Sequence, residues 1–441
     1  MSYTYIPRYR EEENYIIVSK NDGSMDFYDK SAIPFLKKGK YDAIEKLKLF
    51  NLDNILKLKK EGNLGSFFDN EYLNNPCPLR SPISVSLEIT RKCNLFCDHC
   101  SIMAGKPRNN EISLDEIKSV INQVKEMGVF SLFITGGEVF LHQDIIEILQ
   151  YIAEKDVDCF VQTNGLLLTE EKLKQIPKSI YLVMSFDGLS SCGKLHNSNF
   201  KFDTYDKIFQ MLKKYKRNFT VQYVAYKDNL IELPDTYEYC KKHKIDLAAL
   251  DLFCTGRANI NRDLFPTMTQ WGLLEKLADK KYEYEKAQQE FENEIFINSP
   301  NAYHFAFIQK LQEIFERTSP GVFNMYIASD GICYPDVMHA GENMFPGGNV
   351  REKSLQEIWN NTFDEVRKLS KWENWKHCLK CPLNKQFCDY KMPVLSYNIH
   401  GEYTKCGALE SQIEIMNKRY LKREGNEKAY TNDRAREIDF W

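Results

Sequence analysis

The segment Ile83-Ser-Val-Ser-Leu-Glu-Ile89 is followed almost directly by Cys93, Cys97 and Cys100, which have the spacing C-x3-C-x2-C. The apolar, β-branched run predicts a strand that ends in a cysteine loop. A 4Fe-4S cluster normally takes four thiolates. Three thiolates leave one iron open to a small molecule, as a catalytic zinc ion keeps an open position. Structural zinc is the alternative, but zinc usually has four ligands at C-x2-C spacings, which this loop fits poorly.

The cysteine loop resembles that of the radical S-adenosylmethionine (SAM) enzymes. The resemblance implies that the open iron chelates the amino and carboxylate groups of the methionine part of SAM. It also implies that the reduced cluster cleaves the sulfonium to a 5'-deoxyadenosyl radical. His99 lies where the family usually carries an aromatic residue or His. We expect His99 to pack against the adenine side of the loop rather than to bind a metal.

From Ile83 to about Phe253, short β-branched runs alternate with amphipathic helical windows, a pattern typical of βα units around a parallel sheet. The predicted strands are Ile83 to Ile89, Ser131 to Thr135, Cys159 to Thr163, Ser179 to Ser185, Thr220 to Tyr226 and Leu247 to Phe253. Ser113 and Glu116 form a capping-box signal before the first helix. Six units predict an α/β fold, a partial (β/α)6 TIM-like barrel, in which chemistry belongs at the carboxyl ends of the strands.

Four motifs follow predicted strands and resemble the family's SAM-contacting elements. They are Thr135-Gly136-Gly137-Glu138, Thr163-Asn164-Gly165, Ser185-Phe-Asp187-Gly188 and Cys254-Thr-Gly256-Arg257-Ala258. The resemblance implies that Gly136, Gly137 and Glu138 bind the ammonium group of SAM, and that Ser185 and Asp187 supply hydroxyl and carboxylate contacts. It implies that Arg257 pairs with the SAM carboxylate, as guanidinium forks do. Asn164 is a further candidate contact, although Asn-Gly after a strand also holds turns by itself.

A second group of cysteines lies in the last third of the chain. Cys378, Cys381, Cys388 and Cys406 have the spacing C-x2-C-x6-C-x17-C. On count alone, four thiolates close an iron-sulfur cube or a zinc tetrahedron equally well. With the upstream stretch Asp330-Gly331-Ile-Cys333-Tyr-Pro335, this region resembles the SPASM or twitch extension of the family. The resemblance implies that the four cysteines bind an auxiliary 4Fe-4S cluster.

The chain departs from the seven-cysteine SPASM pattern at three places. Thr318 or Ser319, Asp336 and Met392 stand where the pattern has cysteine. Their joint loss predicts that the inner auxiliary cluster is absent and that the outer one is fully ligated. Whether Cys333 or Asp336 is an additional ligand stays open.

Composition restricts the class of partner and the compartment. A net charge of -3 over 441 residues gives no basic footprint for nucleic acid. No apolar stretch approaches the roughly 18 to 20 residues of a membrane span. The first fifteen residues are polar and charged rather than a signal sequence. Clustered cysteines then indicate metal chemistry in the cytoplasm.

The predicted domains are a small N-terminal α+β domain (1–76), the barrel (77–265), a helical connector (266–315), a SPASM/twitch-like domain (316–415) and a charged extension (416–441). In the first of these, Asn21-Asp-Gly23 lies between two strand-like runs and predicts a hairpin. A hairpin followed by helical windows resembles the winged-helix domains that bind the leaders of ribosomally made peptides. A small α+β cap without that role is the alternative.

Taken together, the resemblance implies a radical SAM peptide maturase that makes a thioether or carbon-carbon cross-link or another oxidative modification. Its partners would be a precursor peptide with a leader, and a flavodoxin or ferredoxin as the reductant. One alternative is a Cα epimerase in which Cys254, at the end of the sixth strand, donates hydrogen. A sulfatase-maturing, formylglycine-forming enzyme is another, which the missing inner ligands disfavour. A non-catalytic zinc-binding regulatory protein is the alternative from a different class.

Overall fold

The computed structural model describes residues 4–13, 15–50, 75–267, 269–270, 307–309, 311–312, 314–381 and 390–413. Most of the predicted connector 266–315, the extension 416–441 and Cys388 lie outside the described residues. Helical windows are also predicted from Ser31 to about Lys60, and the part beyond residue 50 lies outside the described residues.

The N-terminal domain contains a four-stranded antiparallel sheet. Its strands are β1 (Arg8–Glu11), β2 (Ile16–Ser19), β3 (Met25–Tyr28) and β4 (Lys48–Phe50), and they are paired in chain order. β2 and β3 form the predicted hairpin, with the positive φ of +86° at Gly23 in the turn. Helix α1 (Ile33–Leu36) and a 3-10 helix (Tyr41–Leu47) connect β3 to β4.

Six parallel strands follow, and each pairs with the next. They are β5 (Ser84–Glu88), β6 (Ser131–Thr135), β7 (Asp158–Thr163), β8 (Ile180–Ser185), β9 (Phe219–Ala225) and β10 (Asp246–Asp251). Between them run α2 (Leu114–Glu126), α3 (Ile145–Glu154), α4 (Glu170–Gln175), α5 (Phe202–Lys214) and α6 (Leu233–His243). The predicted capping box is present at the start of α2, where Ser113 and Glu116 cap each other's backbone N–H groups. The chain therefore has the predicted α/β fold with a partial TIM-like barrel.

The apolar stripes of these helices and one face of the strands form the main hydrophobic core. In α2 the stripe is Ile117, Val120, Ile121 and Val124, the i, i+3, i+4, i+7 pattern of a helix that buries one side. Because side chains alternate along a strand, the other face of the sheet points into the barrel.

The C-terminal region extends the barrel sheet. Strand β11 (Asn324–Ile327) pairs in parallel with β5, and β12 (Ile332–Tyr334) and β13 (Gly348–Asn349) continue the sheet antiparallel. Further helices among the described residues are α7 (Arg257–Ile260), α8 (Val337–Gly341), α9 (Leu355–Asn361), α10 (Asp364–Ser370), α11 (Lys376–Lys380) and α12 (Pro393–His400). The hairpin β11–β12 thus lies beside the strand that leads into the cysteine loop.

None of the described helices is long and apolar enough to cross a membrane.

The N-terminal segment closes the lower end of the barrel. Tyr5 is 3% exposed and packs with Phe160, Tyr181 and Val183, which lie on the inner face of β7 and β8. The backbone N–H of Ile6 donates to Asp158 at 3.1 Å, and Arg8 forms an ion pair of 2.8 Å with the same carboxylate. These contacts fix the N-terminal sheet to the barrel at the end opposite the cysteine loop.

Candidate active site

The cysteine loop leaves the carboxyl end of β5, as predicted. Cys93, Cys97 and Cys100 are all half-buried. The base of the loop is closed by backbone hydrogen bonds, from the N–H of Cys93 to the carbonyl of Gly105 and from the N–H of Gly105 to the carbonyl of Arg91, both 3.0 Å. The three thiols are therefore presented by one closed loop at the rim where barrel chemistry occurs.

Burial disfavours free thiolates in the cysteine loop. Burial raises the pKa of the Cys97 thiol, and the neighbouring Cys100 and Cys93 raise it further. Burial also raises the pKa of Cys93. Since only thiolates bind iron, these groups need a positively charged partner to ionise at neutral pH.

The donor set of the loop fits a 4Fe-4S cluster. Three thiolates from one loop can hold three irons and leave the fourth iron open, whereas a structural zinc ion usually takes four protein ligands.

The Gly136-Gly137 turn packs directly on this loop. The N–H of Gly137 donates to the carbonyl of Thr90 at 2.8 Å, and the N–H of Glu138 donates to the carbonyl of Lys92 at 2.9 Å. A Cβ atom at Gly136 would lie 2.4 Å from the Thr90 oxygen, and one at Gly137 would lie 2.3 Å from the Lys92 oxygen. The glycines thus allow two backbone segments to touch where the resemblance places the ammonium group of SAM. Their contact with SAM stays a prediction.

The carboxylate of Glu138 holds the ends of two strands together. It accepts hydrogen bonds from the hydroxyl of Thr163 at 2.7 Å and from the backbone N–H groups of Asn164 at 2.8 Å and Phe140 at 3.1 Å. Burial nevertheless raises its pKa. Glu138 therefore positions the Gly-Gly turn, and direct contact of its carboxylate with SAM stays a prediction.

Asn164 both holds its turn and reaches the cysteine loop. Its Oδ1 accepts from the N–H of Leu166 at 3.0 Å, and its Nδ2 donates to Oδ1 of Asn94 at 2.8 Å. The turn role agrees with the expectation for Asn-Gly. The link to Asn94, which lies between two cluster cysteines, could not be read from the sequence.

Ser185 and Asp187 follow β8 but have different surroundings. Ser185 is half-buried on the inner face of the barrel and is paired in register with Gln222 of β9. Asp187 is 3% exposed, and its Oδ2 lies 2.9 Å from Nε2 of His196. Ser185 is therefore well placed to contact a ligand inside the barrel, whereas the carboxylate of Asp187 faces His196. For both residues, contact with SAM stays a prediction.

Arg257 directs two of its nitrogens to the cysteine loop. Nε donates to the carbonyl of Cys97 at 2.6 Å, and one terminal nitrogen donates to the carbonyl of Ala104 at 2.9 Å. The guanidinium also stacks over the ring of Phe96 at 4.0 Å. These bonds use the side of the guanidinium formed by Nε and one terminal nitrogen, so the structure gives Arg257 a loop-holding role. A contact between SAM and its remaining nitrogen stays a prediction.

Cys254 is enclosed. Its side chain is 2% exposed and lies in a cluster with Leu195, Tyr226 and Leu264. Its thiol donates to Oδ1 of Asn259 at 3.3 Å. This environment favours a packing role, and hydrogen donation to a substrate radical stays a prediction.

The inner face of the barrel offers polar groups that the sequence analysis did not single out. Nε2 of Gln162 donates to Oε1 of Gln222 at 3.0 Å, and Gln162 is exposed although it lies in a central strand. Below this pair, the ring of Tyr5 and its neighbours close the barrel. The barrel therefore has an accessible polar interior with an apolar floor. The alternation of Phe160, Val161 and Gln162 along β7 is the sequence feature that could have placed Gln162 on the inner face of the barrel.

A buried carboxylate links the cysteine loop to the C-terminal hairpin. Glu88, the last residue of β5, accepts from the hydroxyls of Tyr326 at 2.7 Å and Ser329 at 2.6 Å, and it pairs with Arg91 at 3.2 Å. Burial acts to raise its pKa, but Arg91 and the hydroxyl donors lower it on balance. Glu88 therefore remains charged and ties the two domains together next to the first cluster ligand.

The structure describes three of the four cysteines of the second group. Cys378 lies in α11, Cys381 follows that helix, and Cys406 lies beyond α12. Burial raises the pKa of the Cys406 thiol to about 12, and the charges of Cys378 and Cys381 raise it further. Cys388 is outside the described residues.

Cys333 is separate from that group. It is fully buried in β12, within the main core, among residues such as Leu355 and Trp359. Asp336 caps α8 through His339, whose N–H donates to its carboxylate at 2.9 Å. Both positions favour structural roles, and ligation by either residue stays a prediction.

Replacing Cys378, Cys381 and Cys406 together by alanine should remove about four of roughly eight irons per chain. SAM cleavage under dithionite should persist, because the barrel cluster has its own ligands. Iron analysis and quantification of 5'-deoxyadenosine check this. Cys333→Ala is the matched control and should keep its iron. A loss of iron from Cys333→Ala that equals the loss from the triple variant would contradict the assignment.

Comparisons with known proteins give two family matches. The model of the radical SAM superfamily matches residues 87–240, and that of the SPASM iron-sulfur cluster-binding domain matches residues 321–382. An AdoMet-dependent heme synthase of Methanosarcina barkeri is 28% identical over 342 residues, which cover 70% of this chain and 89% of the relative. The subtilosin biosynthesis protein AlbA of Bacillus subtilis is 32% identical over 120 residues, 26% of each chain. The crystal structure of Streptococcus suis SuiB bound to its precursor peptide SuiA has a TM-score of 0.64 at 17% identity, over 93% of this chain and 100% of SuiB, and so shares the fold.

Proposed function

The chain is a radical SAM enzyme with a SPASM domain, and from this premise we propose that it modifies a ribosomally made precursor peptide. The barrel domain binds SAM and a 4Fe-4S cluster, and the SPASM domain binds auxiliary iron-sulfur clusters. When bound, the cluster and SAM supply a 5'-deoxyadenosyl radical that takes hydrogen from an unreactive carbon. The protein then has to orient the peptide and keep water away from that carbon.

The N-terminal sheet is the observation that carries this proposal. It is a separate antiparallel sheet, anchored to the barrel by Tyr5 and Arg8 rather than built into it. An antiparallel sheet can accept an extended peptide as an additional edge strand, with main-chain hydrogen bonds for affinity. The fold is shared with SuiB over 93% of this chain, and the binding of a precursor peptide by SuiB agrees with a peptide substrate.

The barrel interior suits a peptide side chain. Gln162, Gln222 and Ser185 offer amide and hydroxyl groups that can bind peptide groups, and Tyr5 closes the lower end against water. The enclosed thiol of Cys254 favours an oxidative product, a thioether or a carbon-carbon cross-link, over epimerisation. We place one auxiliary cluster at Cys378, Cys381, Cys388 and Cys406.

The reductant would approach the exposed side of the cysteine loop. Phe96, directly before the ligand Cys97, is 59% exposed, and Lys92 and Lys106 of the same loop are also exposed. An apolar ring with nearby lysines suits an acidic flavodoxin or ferredoxin. A cytoplasmic location agrees with such a donor and stays a proposal.

A second candidate is chemistry on a tetrapyrrole. The first relatives are named as AdoMet-dependent heme synthases and an Fe-coproporphyrin III synthase, and their matches cover 63 to 72% of this chain. The N-terminal sheet distinguishes the two proposals, because it is the element to which we assign the binding of a leader, and a tetrapyrrole substrate has no leader.

Anaerobic co-expression with short peptides encoded beside the gene tests the proposal. We expect the mass of one peptide to fall by about 2 Da per cross-link, since two hydrogens leave, and we expect no change with the Cys93→Ala variant. Deletion of the peptide's leader should reduce modification at least tenfold. Unmodified peptides, together with copurification of a pigment with Soret absorption, would favour the tetrapyrrole candidate instead.

A further inference from the structure

The cluster ligand Cys97 has a buried imidazole beside it. Nδ1 of His196 lies 2.9 Å from Sγ of Cys97. Nε2 of the same ring lies 2.9 Å from Oδ2 of Asp187, at ion-pair distance although not as an aligned hydrogen bond. Both side chains are 3% exposed. Cys97, His196 and Asp187 thus form a linear chain of contacts from the cluster site to the end of β8.

The segment that carries His196 is fixed to the cysteine loop on both sides of the imidazole. The N–H of Asp98 donates to the carbonyl of Leu195 at 3.0 Å. Nδ2 of Asn197 donates to the carbonyl of Phe96 at 2.9 Å and to the carboxylate of Asp98 at 2.6 Å. The segment on both sides of the ring is therefore held to the cysteine loop by contacts other than the one with the thiol.

The chemistry of the contact follows from the state of the sulfur. A thiolate that binds iron carries no proton, so a nitrogen 2.9 Å away can only be a donor to it. Hydrogen bonds to the sulfurs are one of the factors that set the potential of an iron-sulfur cluster. Because Nε2 lies beside the Asp187 carboxylate, donation from Nδ1 to the thiolate places the ring between two anionic groups and needs a proton on both ring nitrogens. The carboxylate then orients the ring, as it does for histidines that bind metals.

We propose that His196, oriented by Asp187, donates a hydrogen bond to Sγ of Cys97 and makes the barrel cluster easier to reduce. The donor stabilises the additional negative charge of the reduced cluster. His196 is thus a positioning residue that acts through the cluster ligand. Charged and titratable neighbours on other elements include Arg257, which binds the carbonyl of Cys97, and His99, whose ring centre lies 5.8 Å away.

This inference gives Asp187 a role that differs from SAM binding. If Asp187 orients His196, Asp187→Asn should change the reduction of the cluster and leave the affinity for SAM within about twofold. If Asp187 binds SAM, the same variant should weaken SAM binding and leave the cluster unchanged.

Anaerobic EPR redox titration without SAM or peptide tests the proposal. The barrel-cluster signal is identified as the part that the Cys93→Ala variant lacks. For His196→Phe we expect the ratio of reduced to oxidised barrel cluster at a fixed potential to fall about tenfold, which is about 59 mV for a one-electron couple. Asp187→Asn should shift the ratio in the same direction. His243→Phe is the control, because that ring stacks on Tyr239 in α6 and should leave the ratio unchanged.

The outcomes separate cleanly. Full iron content with an unchanged ratio in His196→Phe overturns the proposal. If His196→Phe loses iron, the Asp187→Asn variant becomes the test. An unchanged ratio of reduced to oxidised barrel cluster in that variant overturns the proposal too. Loss of iron from both variants also contradicts it, because the pair would then hold the loop rather than tune the cluster. No peptide is present, so failure here is independent of the proposed substrate.

Discussion

Replacing Cys93, Cys97 and Cys100 together by alanine is expected to abolish the formation of 5'-deoxyadenosine from SAM under dithionite. These thiols are the protein's ligands to the cluster that must carry SAM, and one closed loop presents all three. About four of roughly eight irons should be lost, because the second cysteine group has its own site. Chromatography of the nucleoside products and iron analysis measure both effects.

Cys77→Ala is the control for this loss. Cys77 is half-buried, and its thiol contacts the carbonyl of Leu79, away from the cysteine loop. The control should retain both its iron and its rate of SAM cleavage. Continued cleavage in the triple variant would show that the radical chemistry does not depend on the three-cysteine loop.

Gly137→Ala is expected to have the second largest effect. The added Cβ would lie 2.3 Å from the carbonyl oxygen of Lys92 and 2.6 Å from that of Arg91, both of them backbone atoms that cannot rotate away. The turn and the cysteine loop must therefore separate, at a cost of about 1 to 3 kcal/mol for an overpacked contact. We expect the affinity for SAM to fall at least tenfold, together with a lower midpoint of thermal unfolding.

Gly105→Ala is the matched control in the same loop. A Cβ there meets nothing within 4 Å. It should leave SAM binding and stability unchanged, and calorimetric SAM titration of both variants makes the comparison. Equal SAM affinity for Gly137→Ala and the original chain would mean that the Gly-Gly turn is not part of the SAM site.

Much of the barrel could be predicted from local patterns. The six strands β5 to β10 begin and end within one or two residues of their predicted bounds, because each is a short apolar run followed by turn residues. Ser113 and Glu116 specified the start of α2 in the same way. The positions of the motifs at the carboxyl ends of strands followed from the parallel order alone.

The partners of the polar side chains could not be predicted, because they depend on contacts between distant segments. Arg257 turns to the carbonyl of Cys97, which is 160 residues earlier in the chain, and His196 reaches the thiol of the same residue from an irregular segment without periodicity. The parallel pairing of β11 with β5 is equally non-local, since a four-residue strand carries no mark of its neighbour. The family resemblance predicted contacts with SAM for Arg257 and Asp187. The structure adds the protein groups that these side chains contact, the carbonyl of Cys97 and the imidazole of His196.

The most direct test of the account uses the variant without Cys378, Cys381 and Cys406, so that the barrel cluster alone contributes the spectrum. The reduced, anaerobic protein is mixed with SAM labelled with 15N in its amino group and examined by electron-nuclear double resonance. The account predicts a hyperfine coupling from the labelled nitrogen, since one iron lacks a protein ligand and binds the amino group of SAM. A cluster spectrum that does not change on addition of SAM, with no coupling from the label, would contradict it.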